Sequence, residues 1–488
     1  MQTRETSVEE ETEPAAEPVK HRTLLQTLKN VTPARLGFLL FFVTVFSSIF
    51  CIIAVSTIQQ HETAVKIVGK DSAPSVIAAY EIKSGVLAMD RDLANQLLFK
   101  ADEPEGQDMA DDSEKWRIIV CKELVAAAKN ITFPGELEPI ENIQIALGKY
   151  AKQAEHARNL HQNGRNEQML KAYRESLQTI QTELLPNIAV LEKIDEFELE
   201  NTYNREKSAS NLSRGFLLVL GLALAFSLLY TQYFLSSRFH RRFCPPILLS
   251  MFCLIALLHQ LTNSLTANSN YLRIAKEDSY DSVLSLLITR ASAFDAAACA
   301  SRRLLDPENA SAYQKEYEEN LASIARFDGS HNIEETIKTA QRQLQKNEKF
   351  NLQGFTGSLA TEINNAGFEE QGEPSLAIDT LAAFSDYCQA EWKVKELDES
   401  GSHDEAVRMC LSYNPSGSKY PFMQFDDALV RTLKINQEQM NINLKGAFKS
   451  LEYCSLATEL ISLLIVICVY AGLTPRMDEY FKVRSIKS

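Results

Sequence analysis

Four long apolar runs interrupt an otherwise polar, helix-forming chain. Leu36 to Ile58 and Gly215 to Leu235 contain no charged residue. Pro245 to Leu265 carries only His259 among acidic and basic residues, and Cys454 to Leu473 only Glu459. Each run has about the 20 residues that a helix needs to cross a hydrocarbon layer, where every backbone N–H and C=O must be satisfied within its own segment. The pattern predicts four transmembrane helices over 36–58, 215–235, 245–265 and 454–473. The first run starts too far into the chain and is too long for a cleaved signal peptide, so it reads as a membrane anchor. Between the spans the apolar period is helical: Val76, Ala79, Val86, Leu93 and Leu97 recur on one face, as do Leu284, Ile288 and Ala291. The fold class is all-α, with helical bundles expected at 59–214 and 266–453.

Basic residues then orient the spans. The short loop 236–244 holds Arg238, Arg241 and Arg242 and no acid; Lys29 and Arg35 precede the first span, and Arg476, Lys482, Arg484 and Lys487 follow the last. Short basic flanks stay in the cytoplasm. Both termini are therefore expected there, in a cell (inner) membrane protein whose two large segments lie outside. The net charge of −14 disfavours nucleic acid, which selects a basic face. Residues 1–35 open with a Glu- and Pro-rich stretch poor in apolar residues, which reads as a disordered cytoplasmic tail. The other cytoplasmic end is the tail 474–488.

The two halves look like copies of one span–domain–span unit. Asp71 to Leu98 and Asp278 to Leu305 share an opening Asp-Ser, an internal Ser-Val and a closing Leu-Leu. Further on, Asn163-Gly164 and Ser400-Gly401 each break a helical pattern as a helical hairpin would, because glycine accepts the left-handed conformation that ends a helix. Pro74 is expected in a first helical turn or at a kink.

These segments resemble two related families. The run Asp90, Asp92, Asn95, Leu97, Leu98 after a span is similar to the four-helix-bundle sensor domain of methyl-accepting chemotaxis receptors. The doubled arrangement resembles the GlnX-type membrane proteins of actinobacteria. That likeness is carried by Asp71–Leu98, the hairpin EWKVKELDESGSHDEAV, the helix FDDALVRTLKINQEQM and the ending GLTPRMDEYFK. It implies a signal relay between an extracytoplasmic amino-acid-binding protein and a cytoplasmic Ser/Thr kinase. The second copy departs at Asp295, whose neighbours are Ala and Cys, which puts a binding role shared by the copies in doubt.

No nucleotide loop, helical His/Glu metal pair, Cys-x-x-Cys or nucleophile elbow is present. The reading is a non-enzyme without metal or cofactor, embedded in lipid and acting through recruited partners. The alternative is a structural or assembly protein whose helical ectodomains bind another envelope protein without signalling. Asp90, Asp92, Asn95 and Asp295 are ligand or switch candidates, because a carboxylate on an apolar stripe is costly unless paired; a satisfied core aspartate is the other reading of Asp90 and Asp295. His259 and Glu459 lie at similar depths, roughly 7–9 Å from the outer ends of their spans at 1.5 Å per residue, and are candidates for an intramembrane pair. Cys388 and Cys410 flank Gly401 on opposite hairpin arms and are a disulfide candidate, which needs Cα atoms about 4.4–6.8 Å apart. Cytoplasmic output candidates are Arg238, Arg241, Arg242, Arg476, Asp478, Tyr480 and Phe481. A lipid-interface anchor is the other reading of the tail.

Overall fold

The computed structural model describes residues 32–100, 103–239, 243–328, 332–367 and 372–485, so the acidic tail lies outside the described residues. Among the described residues the fold is all-α, apart from a short antiparallel pair, Arg326–Phe327 with Phe355–Thr356. Among the described residues, four helices are long and apolar enough to cross a membrane. The chain divides into a membrane unit (Met1–Ser56, Gly215–Gln260, Ser455–Ser488) and an extramembrane unit (Thr57–Arg214, Leu261–Cys454).

In the membrane unit, one cluster joins residues of all four apolar runs: Leu36 and Val43, Leu224 and Leu228, Ile247 and Leu254, Ile465 and Val469. Gly221 brings its helix close to Leu258, since a Cβ there would lie 2.5 Å from that side chain. The outward faces carry Phe41, Ile52, Phe226 and Phe252, each about two-thirds exposed or more. An apolar exterior of this kind belongs in lipid rather than water.

The two halves of the extramembrane unit begin with the same order of elements. Helix α1 (Thr32–Lys66) is followed by a π-helical turn, Ile67–Ser72, and by α2 (Ala73–Leu98). In the second copy the same order recurs as α7 (Pro245–Arg273), the π-helical segment Ile274–Tyr280 and α8 (Asp281–Leu305). Pro74 takes its place in the first turn of α2. In the first copy α3 (Pro104–Lys129), α4 (Leu137–Gln162) and α5 (Asn166–Thr179) follow, before the long α6 (Leu185–Phe239). The second copy continues with α9 (Ala310–Ile324), α10 (Ile333–Gln345), α11 (Ser358–Asn365), α12 (Glu373–Glu399), α13 (His403–Leu411), α14 (Lys419–Leu451) and α15 (Cys454–Ser485). The α4–α5 and α12–α13 hairpins both turn on a left-handed glycine, Gly164 at φ +70° and Gly401 at φ +86°.

The sequence suggests one bundle per outer segment; the structure unites the segments in a single compact unit. The cause is burial. Helices α2 and α8 bury residues on all sides, so neither can close its apolar surface within its own copy. They pack on each other instead, and one core cluster includes Val76, Tyr80 and Leu87 beside Val283, Leu287 and Phe294. The remaining faces of α2 help build a second cluster with α3, α4 and α5, through Val86, Leu93, Val120, Ile143 and Tyr173.

Candidate functional site

The contact between the copies holds a buried ion pair. Asp90 of α2 and Arg302 of α8 are both within 1 % of full burial. The Nε and Nη2 atoms of Arg302 lie 2.9 and 2.7 Å from Asp90 Oδ2, and the Tyr173 hydroxyl donates to Asp90 Oδ1 at 3.2 Å. Burial pushes the Asp90 carboxyl above its ordinary value, while the Arg302 guanidinium opposes that shift. The Nη1 atom of Arg302 is 3.4 Å from Asp295, 3.6 Å from Glu316 and 3.3 Å from Cys299 Sγ. Asp295, Cys299 and Glu316 bring their donor atoms close enough together to suit a cation, and the guanidinium already supplies that positive charge.

A second charged layer lies on the same helix pair. Arg91 stacks 4.9 Å from the centroids of both Phe294 and Phe422. Arg290 lies over Trp116 and Phe294, and donates to Glu81 at 2.8 Å and Asp426 at 2.7 Å. Phe294 also meets Trp116 and Phe422 edge to face. Removal from water strengthens such cation–π contacts.

The other candidates divide. Asp92 is buried and accepts from Arg91 Nη2 at 2.7 Å, and Asn95 accepts from the Ser301 hydroxyl at 2.6 Å. Asp295 meets Arg302 and accepts from Asn320 at 3.0 Å. Two of the four polar candidates, Asp90 and Asn95, therefore meet partners from the opposite copy, while Asp92 and Asp295 are paired within their own.

One expectation is corrected. Cys388 and Cys410 are free thiols. Cys388 packs against the main core, whereas Cys410 joins a separate cluster with Leu304, Val394 and Ala406; burial pushes each thiol up to about 12. His259 and Glu459, the candidates for an intramembrane pair, both lie at exposed positions. At the expected output surface, Arg238 and Asp478 are exposed and Arg476 is half-buried. Arg241 and Arg242 lie outside the described residues, as do the side chains of Tyr480 and Phe481.

One cluster had no counterpart in the sequence reading. His61 Nδ1 lies 2.5 Å from Glu206 Oε1 and 3.1 Å from Asn268 Oδ1, and Asn268 Nδ2 donates to the Ala447 carbonyl at 3.0 Å. His61, Glu206 and Asn268 are buried. These four residues come from α1, α6, α7 and α14, each within eight residues along the chain of a boundary of the extramembrane unit. Nearby, Arg214 donates to the Leu265 carbonyl at 2.7 Å and to the Ser269 hydroxyl. The available sequence signal was a lone histidine just beyond a span.

Asp195 on α6 gives the unit a pH response. Its carboxyl is fully buried, and burial, with the carboxyl of Glu136 beside it, pushes it up to about 8. Glu136 itself accepts the Thr132 amide at 2.7 Å. A raised acid stays protonated in the folded chain while the unfolded chain has already lost its proton. Stability from this group is therefore full below about pH 4 and declines as pH rises through about 8. Asp195→Asn is expected to flatten that decline and to raise the melting temperature at pH 8; equal pH slopes for both proteins would contradict the assignment.

Residues 64–204 match the family model of the actinobacterial sensor domain. Comparison with curated proteins and with solved structures gave no match. The matched segment covers α2 to α5 and the first part of α6, and so contains Asp90, Tyr173 and Asp195. Together with the four apolar helices, this similarity supports a membrane sensor protein.

Proposed function

We propose that the chain is a transmembrane relay whose stimulus arrives at the extramembrane unit and whose output is read in the cytoplasm. The observation that carries this reading is the His61–Glu206–Asn268 cluster. It ties together four helices whose sequences lead into the four spans, so a rearrangement of one is felt by the other three. A stimulus need only favour one of two helix arrangements by its difference in affinity for them. In this reading an amino-acid-binding protein meets the unit outside an inner membrane, and a Ser/Thr kinase docks on Arg238–Arg242 and the tail 474–488. The chain itself does no catalysis.

Affinity purification from native membranes tests the partners. Both are expected to co-purify with the full chain, and truncation after Pro475 should release the kinase while retaining the binding protein. Kinase retained after truncation would move the output surface elsewhere. His61→Ala tests the route. Both partners should still co-purify, while the change in kinase activity on adding amino acid should fall roughly tenfold, within the range of measured coupling energies. An undiminished response would remove the cluster from the route.

A further inference from the structure

The first copy contains a cleft of about 450 Å³ between α2, α3 and α4. Its walls include Gln96, Ser113, Tyr150, Glu155 and Arg158, all inside the segment similar to a sensor domain. Arg158 is only partly engaged. Its Nε donates to Gln96 Oε1 at 2.8 Å and its Nη2 to the Ser113 hydroxyl at 3.3 Å, both neutral, while Nη1 has a loose 3.7 Å contact with Glu155. Arg117 in the same cleft is occupied, with both Nε and Nη2 at 2.6 Å from Glu114. Tyr150 is 1 % exposed, and its hydroxyl has no hydrogen-bond partner among the described residues. Burial holds the phenol far above its ordinary value, so it remains a donor. An orphaned buried donor beside an under-used guanidinium is a costly arrangement unless something occupies it.

The duplication supplies an internal comparison. Aligning Leu98 with Leu305 and Gly164 with Gly401 pairs Gln96 with Arg303, Tyr150 with Tyr387 and Ala154 with Glu391. Aligning Pro104 with Pro307 pairs Glu114 with Tyr317. These second-copy residues, Arg303, Tyr317, Tyr387 and Glu391, are all buried. At three of the four pairs the first copy has the smaller residue, Tyr150 being matched by Tyr387, and the cleft lies there.

We propose that this cleft binds a small monocarboxylate, with the carboxylate received by Arg158 and the Tyr150 hydroxyl. The planar guanidinium fork matches a carboxylate. Asp111, Glu114 and Glu155 also line the cleft, so a dianion such as phosphate meets repulsion that a single charge largely escapes. The cleft lies next to the inter-copy ion pair: Met89 lines it, and the charge of Asp90 acts on the Tyr150 phenol. This inference rests on the sensor reading, but its test needs neither partner nor output.

The test measures the melting temperature of the detergent-purified full chain with acetate, lactate, L-alanine and L-valine, with their primary amides, and with inorganic phosphate. At least one carboxylate is expected to raise it by about 3 °C or more at saturation, with little effect of its amide or of phosphate. Arg158→Gln should abolish the rise, and Arg158→Lys, which keeps the charge but loses the fork, should reduce it. No shift with any of the four acids would overturn the proposal, as would equal shifts from acid and amide, a larger shift with phosphate, or an undiminished response in Arg158→Lys.

Discussion

Replacing Arg302 with methionine is expected to destabilise the extramembrane unit by about 3–5 kcal/mol, the usual cost of stranding a buried charge. The change leaves Asp90 fully buried with only the Tyr173 hydroxyl as a partner, and it removes the cation that Asp295 and Glu316 share. Asp90→Asn should cost less, because Arg302 keeps Asp295 and Glu316. That ordering is specific to this geometry, since an isolated pair would lose similar amounts from either side. The double variant Asp90→Leu with Arg302→Met should recover much of the loss, because a buried pair contributes little beyond apolar packing of the same shape. Denaturant unfolding of the wild type, Asp90→Leu, Arg302→Met and the double variant forms a double-mutant cycle. Equal losses from the two single changes would show that Asp295 and Glu316 give Arg302 no support.

Phe294→Ala is the second large expected effect, about 3–5 kcal/mol for a buried aromatic truncated to alanine. The ring is 1 % exposed and is shared among four neighbours: edge-to-face contacts with Trp116 and Phe422, and the guanidinium groups of Arg91 and Arg290. Its loss would leave both arginines short of a face in a dry core. Phe294→Leu keeps most of the volume but not the π-face, so its cost should be clearly smaller and should isolate the cation–π share, of order 2 kcal/mol when desolvated. Trp116 fluorescence offers a local readout, and a Phe294→Ala protein with wild-type unfolding and emission would contradict this account.

Much of the architecture was legible because long uncharged apolar runs have few uses outside a membrane. The repeat was legible through Asp-Ser at one end of a helix and Leu-Leu at the other, and the hairpins through Gly164 and Gly401. The union of the copies was harder to see. Periodicity tells which face of α2 is apolar, but a helix buried on every side looks much like one with a wide stripe. Asp90 reads from the sequence as a carboxylate in an apolar setting, yet its partner lies 212 residues away in an alanine-rich stretch that gives no hint of an ion pair. The thiol pair failed for a related reason: equal spacing about a turn fixes level along a hairpin, but not which cluster each side chain enters. The π-helical segments leave no mark in hydrophobic pattern, and His61 and Asn268 acquire meaning only once their helices are assembled.

The counterpart helices α2 and α8 meet as two subunits of a homodimer might, yet they belong to one chain. In a true homodimer every substitution appears twice, on both sides of the interface. A new aspartate then faces its own copy as often as it faces a base. A fused duplicate escapes that rule. Asp90 has Ala297 as its repeat counterpart and Arg302 has Asn95, while Glu81 has Ile288 and Arg290 has Lys83, so each of these charge pairs crosses the interface in one direction only. Two similar halves within one chain can thus differ in chemistry while opening on the same order of helices.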